Sequence, residues 1–120
     1  MNDDDTMQDM PANIAPFVEA LGADDAMRLF LSVGGSDIYL PAKSSPRSIA
    51  ARTVGADRID KLSKVMGYGY IKVPLARRWV AEQMKAQGAT TAEIARTIRA
   101  DVATVRRWFP SETAKQLTLF

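Results

Sequence analysis

Residues 90–110 read TTAEIARTIRADVATVRRWFP. The segment Thr90 to Glu93 has the form Thr-x-x-Glu. That is a capping box, in which the Thr90 hydroxyl takes an orphan amide and Glu93 reaches back to the Thr90 backbone. From Ala92 to about Arg99, Ile94, Ala95 and Ile98 recur on one helical face. A tight turn, Arg99-Ala100-Asp101, follows. Asp101 is placed to cap a second helix running from Val102 to Phe109, which turns Val105 and Trp108 inward and stops at Pro110. Two helices that cross steeply need a small residue where they touch. Ala95 supplies it, and Ile94, Ile98, Val105 and Trp108 fill the wedge. The spacing predicts a helix-turn-helix, with Arg99 standing where a turn glycine is usual.

Upstream, Pro74 opens a helix through Leu75, Trp79, Val80 and Met84 that stops at Gly88, which completes a trihelical unit over residues 75–110. Its last helix turns Val102, Ala103, Thr104, Arg106 and Arg107 outward. An arginine can grip guanine with two hydrogen bonds or bind phosphate, and Ala, Val and the Thr methyl can touch thymine methyls. These five are therefore the candidate base-reading residues. Arg77, Arg78, Arg96 and Arg99 are the candidate phosphate contacts. The same spacing also fits a plain three-helix bundle with solvated arginines, and Trp79 and Trp108 read as core rather than as stacking platforms.

Before this unit the chain repeats itself. Leu21-Gly22-Ala23-Asp24 matches Val54-Gly55-Ala56-Asp57 at an offset of 33 residues, and at that offset Leu29 matches Leu62, Gly34 matches Gly67, Ile38 matches Ile71, Leu40 matches Val73 and Pro41 matches Pro74. The unit read from one copy is a helix from Ala15 to about Leu21, then Gly22. A second helix begins near Asp24 as cap, carries Met27, Phe30 and Leu31, and ends at Gly34-Gly35. A strand over Asp37–Pro41 closes the copy. Ser45-Pro46 starts the next helix. A lone strand leaves its backbone groups unpaired, so the strands around Ile38 and Ile71 pair, either with each other or across a dimer.

Charge is distributed unevenly. Residues 1–25 hold seven acids and no Lys or Arg, leaving seven acids against all sixteen bases in the remainder. A basic body behind an acidic tail favours a phosphate-rich partner, and suits an ordinary solvated surface equally well. The chain contains no Cys and no His, which rules out disulfides, thiolate chemistry, the usual zinc sites and histidine acid–base catalysis. No phosphate loop, dinucleotide fingerprint or catalytic carboxylate set stands out. Neither an enzyme, nor a cofactor, nor a bound metal is expected. The acidic start, followed by no apolar stretch, does not read as a signal peptide, and no apolar run approaches the roughly 20 residues of a membrane helix. A cytoplasmic, nucleoid-associated location is the expectation.

The segment Gly34-Gly35-Ser36-Asp37-Ile38-Tyr39-Leu40-Pro41 resembles the GG-x-x-I-Y-[IL]-P segment of Mor-type phage transcription activators, and Thr91 to Phe109 is similar to that family's reading head. The resemblance covers residues 21–41 and 75–109. It implies a strand in a dimerisation region, a helix-turn-helix on duplex DNA, a homodimer and RNA polymerase as a partner. Residues 42–74 are an additional helix–strand copy that the family's usual pattern lacks. Separately, Gln116-Leu117-Thr118-Leu119-Phe120 resembles the QL[SD]LF peptide that docks on the bacterial replicative sliding clamp. Leu117, Leu119 and Phe120 would be its apolar anchors and Gln116 the rim contact. The alternative is that these side chains pack on the protein's own helices.

The sequence therefore predicts a mainly α chain, with a tandem helix–strand repeat and a small two-stranded β element followed by a trihelical helix-turn-helix unit. Its expected parts are an acidic disordered tail (1–13), a tandem helix–strand region resembling a dimerisation region (14–74), the DNA-binding unit (75–110) and a docking tail (111–120). The expected function is sequence-specific binding of duplex DNA by a phage- or mobile-element-like transcription regulator. The alternative is a replication-associated adaptor or inhibitor docked on the sliding clamp.

Overall fold

A computed structural model describes residues 10–42 and 48–109. The described residues form seven helices and one two-stranded antiparallel sheet, divided into two compact units that meet between Ala76 and Arg77. The first unit contains α1 (Ala15–Leu21), α2 (Ala23–Val33), β1 (Asp37–Leu40), α3 (Ile49–Val54), α4 (Ala56–Met66) and β2 (Gly69–Lys72). The second contains α5 (Arg77–Ala86), α6 (Thr91–Ile98) and α7 (Val102–Trp108). No helix among the described residues is long and apolar enough to cross a membrane.

In the first unit α1 packs on α4 and α2 packs on α3, around a core of Phe17, Leu21, Leu29, Ile59, Leu62 and Val73. Phe17 and Phe30 meet edge to face with ring centroids 5.3 Å apart, an arrangement that adds about 1 kcal/mol to the burial of the rings. The two strands pair with each other within the chain, Asp37 opposite Lys72, Ile38 opposite Ile71 and Tyr39 opposite Tyr70. Because side chains alternate across a strand, Ile38, Leu40 and Ile71 face inward while Asp37, Tyr39, Tyr70 and Lys72 share the exposed face.

Helix starts and one buried face differ from expectation. The N-cap of α2 is Gly22, with no side-chain cap; Asp24 lies inside the first turn. On α2 the buried stripe is Ala26, Leu29 and Phe30, whereas Leu31 is 45% exposed. Both phases of that apolar helix satisfy a period of 3.6, and packing against α3 selects one. Helix α3 is capped by Ser48, whose Oγ accepts from the Ala51 amide at 3.0 Å; Ser45 and Pro46 lie outside the described residues. Helix α5 begins at Arg77 rather than Pro74. The ladder explains the delay. The Gly35 amide donates to the Val73 carbonyl at 2.7 Å and the Val73 amide to Ser36 at 2.9 Å, which keeps the chain extended past β2. Ala76 then turns it with a φ of +54°.

The same closure fixes Gly34. A Cβ there would meet the carbonyl oxygen of Phe30 and lie 2.8 Å from that of Pro74. The turn from Pro11 to Ile14 leads into α1, with the Ala15 amide bonded to Pro11 at 3.1 Å.

Candidate nucleic-acid interface

The second unit has a small core of Trp79, Val80 and Ala81 from α5, Ile94, Ala95 and Ile98 from α6, and Val105 from α7. With so little apolar volume, local capping carries much of the definition. Both bonds of the capping box are present: the Glu93 amide donates to Thr90 Oγ1 at 3.1 Å and the Thr90 amide to Glu93 Oε1 at 2.7 Å. The Thr104 amide donates to Asp101 Oδ1 at 2.9 Å.

These bonds favour the ionised carboxylates. Glu93 is held below its ordinary value first by the Thr90 backbone and then by the Thr90 hydroxyl, and Asp101 first by the Thr104 side chain and then by its backbone N–H. Between α6 and α7 runs a three-residue turn, Arg99 to Asp101. Arg99 takes the left-handed conformation, φ 58° and ψ 46°, and its amide and that of Ala100 both bond to the Ala95 carbonyl. The sequence places arginine where the backbone favours glycine, at a cost of about 1–2 kcal/mol.

On α7, Val105 is fully buried, Thr104 and Trp108 are half-buried, and Val102, Ala103, Arg106 and Arg107 are exposed. At roughly 100° per residue the four exposed side chains occupy one arc of roughly 140°. Four of the five expected base-reading residues therefore share a face. Thr104 does not join them. It sits on the flank, where its hydroxyl accepts from an Arg107 guanidinium nitrogen at 3.2 Å.

The expected phosphate contacts Arg77, Arg78, Arg96 and Arg99 are all exposed. Arg78 also faces Glu82 across one turn of α5, at 3.7 Å with both side chains largely in solvent, a pairing worth little. Among the described residues, Arg99 and Arg106 form no ion pair. One basic side chain of this unit escaped the sequence reading. The Lys85 ammonium lies 5.4 Å from the centre of the Phe109 ring, a contact spanning 24 residues that no local pattern signals. Gln116, Leu117, Leu119 and Phe120 lie outside the described residues.

The arrangement offers cations and small apolar groups on one helix face. Chemically it can hold an anionic, partly apolar surface. Comparison with protein-family models, with curated proteins and with solved structures finds no match for this chain.

Proposed function

We propose that the chain is a sequence-specific duplex DNA-binding protein, of the kind that regulates transcription in phages or mobile elements. In this reading α5, α6 and α7 form a helix-turn-helix unit carried on a body of two helix–strand repeats. Helix α7 is the recognition helix. The observation that carries it is the single exposed face of Val102, Ala103, Arg106 and Arg107 on a helix that packs against α6. Arg106 and Arg107 read base edges or grip phosphate, while Val102 and Ala103 meet thymine methyls. Arg77, Arg78, Arg96 and Arg99 bind backbone phosphates and set the register. The strained arginine at 99 supports this, because glycine would relax the turn and an arginine there adds a cation beside α7.

The test is fluorescence anisotropy of labelled duplex DNA titrated with the wild type and with Arg106→Ala/Arg107→Ala at two salt concentrations. Binding that weakens with salt and falls by about tenfold or more in the double variant is expected. Salt-independent binding, or a double variant that binds like the wild type, removes α7 from the interface.

A second reading rests on Gln116 to Phe120 alone. There the chain docks on the replicative sliding clamp as an adaptor or inhibitor. Deleting residues 116–120 should abolish clamp capture; capture that survives the deletion discards this reading.

A further inference from the structure

We infer that the first unit is a dimer folded into one chain, so that the protein carries one recognition helix per paired body and reads a single, non-palindromic DNA site. The site's chemistry rests on the proposed DNA-binding function; the internal pairing does not.

The pairing is argued from positions 33 residues apart. Helices α2 and α4 cover equivalent residues, 23–33 and 56–66, and each starts at a glycine of similar backbone conformation, φ 82° and ψ 162° at Gly22 and φ 98° and ψ 144° at Gly55. The first helix of each copy packs on the second helix of the other, α1 on α4 and α3 on α2. Equivalent positions are buried together, Phe17 with Ala50, Ala26 with Ile59, Leu29 with Leu62, Phe30 with Ser63 and Leu40 with Val73.

Two contacts then define a rotation axis. A residue on a two-fold axis meets its own equivalent. Ile38 lies directly opposite Ile71 in the sheet, and the Asp25 carboxylate lies 3.0 Å from the Arg58 guanidinium. Both pairs are separated by the same 33 residues.

The divergence of the copies suits this partner and penalises others. Pairing two first copies would oppose Asp25 to Asp25, and pairing two second copies would oppose Arg58 to Arg58. The chain instead opposes unlike charges, and Arg58 adds a 2.8 Å bond to the Leu21 carbonyl at the end of α1. The sheet follows the same rule. Asp37 faces Lys72 and Tyr39 faces Tyr70, whereas like copies would set Asp37 against Tyr39 and Tyr70 against Lys72. Specificity of this sort is built from repulsion between wrong partners as much as from attraction between right ones. The strand and helix contacts that a second chain would supply are thus made by the chain's own second copy. A body with one recognition helix has no reason to demand inverted half-sites.

The experiment combines sedimentation of the full chain with selection of bound duplexes from a randomised library. The inference expects the mass of one chain, one contiguous motif with no inverted copy, and one chain per duplex. Two chains on inverted half-sites about 34 Å apart, or a dimer in the absence of DNA, overturns it. If no duplex is enriched, the DNA-binding reading fails and the single-site inference with it, while the mass still decides the internal pairing.

The axis has its own check, made in an Arg28→Ala background so that Arg28 does not compete for position 25. Arg58→Asp should raise the unfolding equilibrium constant of the first unit by roughly fivefold, and adding Asp25→Arg should reverse part of that rise. An exchange no more stable than Arg58→Asp alone contradicts the axis.

Discussion

In the first unit the two longest helices, α2 and α4, start at glycines and receive no side-chain cap, whereas α6 and α7 of the second unit start at Thr90 and Asp101, whose side chains take the amides of Glu93 and Thr104. The same contrast runs through the arginines. In the first unit Arg28 and Arg58 both converge on Asp25. In the second, Arg99 and Arg106 stand in solvent without an ionic partner among the described residues. The aromatic residues divide as well: all three tyrosines lie in the first unit and both tryptophans in the second. A unit that makes its stability from helix packing can leave its caps bare. One with a core of seven buried apolar side chains among the described residues fixes its helix ends locally.

That division can be broken deliberately, because tryptophan fluorescence reports the second unit alone. The largest expected effect is on packing. Phe17→Ala empties a fully buried site that is in edge contact with Phe30. It should cost the first unit about 3–5 kcal/mol, measured by far-UV circular dichroism, with the tryptophan-detected transition moving less. Equal losses by both probes would show that the two units unfold as one.

Next comes Arg99→Gly, which sets stability against function within a few residues. Relieving the left-handed arginine should stabilise the tryptophan-detected transition by about 1 kcal/mol, while duplex affinity in the anisotropy assay drops several-fold. A variant that gains stability and binds DNA unchanged would mean that the Arg99 side chain is idle. Thr90→Ala should cost the second unit about 1 kcal/mol and leave the circular-dichroism signal of the first unit in place.

The smallest effect is acid sensitivity. Glu93 and Asp101 are held below their ordinary values of 4.5 and 3.8 in the folded chain. Their contribution is therefore complete above those values and is lost as pH falls through the lowered folded ones. Glu93→Gln with Asp101→Asn should flatten the acid limb of the tryptophan-detected stability profile, and an unchanged limb would remove the caps as its cause.

Legibility in the sequence followed how local each cause was. The capping box at Thr90 and Glu93, the cap at Asp101, the turn at Arg99 and the strand ends are set by residues within a few positions of one another, and the sequence displays them. Burial of Leu29 in place of Leu31 depends on α3, a partner helix some twenty residues away. The start of α5 depends on the hydrogen bonds that the Gly35 amide donates to Val73 and the Val73 amide donates to Ser36, and a positive φ at an alanine such as Ala76 leaves no mark in composition. On the candidate interface, the outward positions 102, 103, 106 and 107 follow from helical period alone. The same period sets Thr104 on the flank of that face, where its hydroxyl accepts from Arg107. Whether the strands pair within one chain was open in the sequence, since an internal partner and a second chain offer the same residue pattern.

The most direct test of α7 as the contact surface is a titration of the isotopically labelled full chain with duplex DNA, followed by amide chemical shifts. Shifts concentrated between Thr90 and Trp108, with the first unit unmoved, are the expected result. Shifts centred on the exposed sheet face at Tyr39 and Tyr70, with α6 and α7 silent, would contradict it.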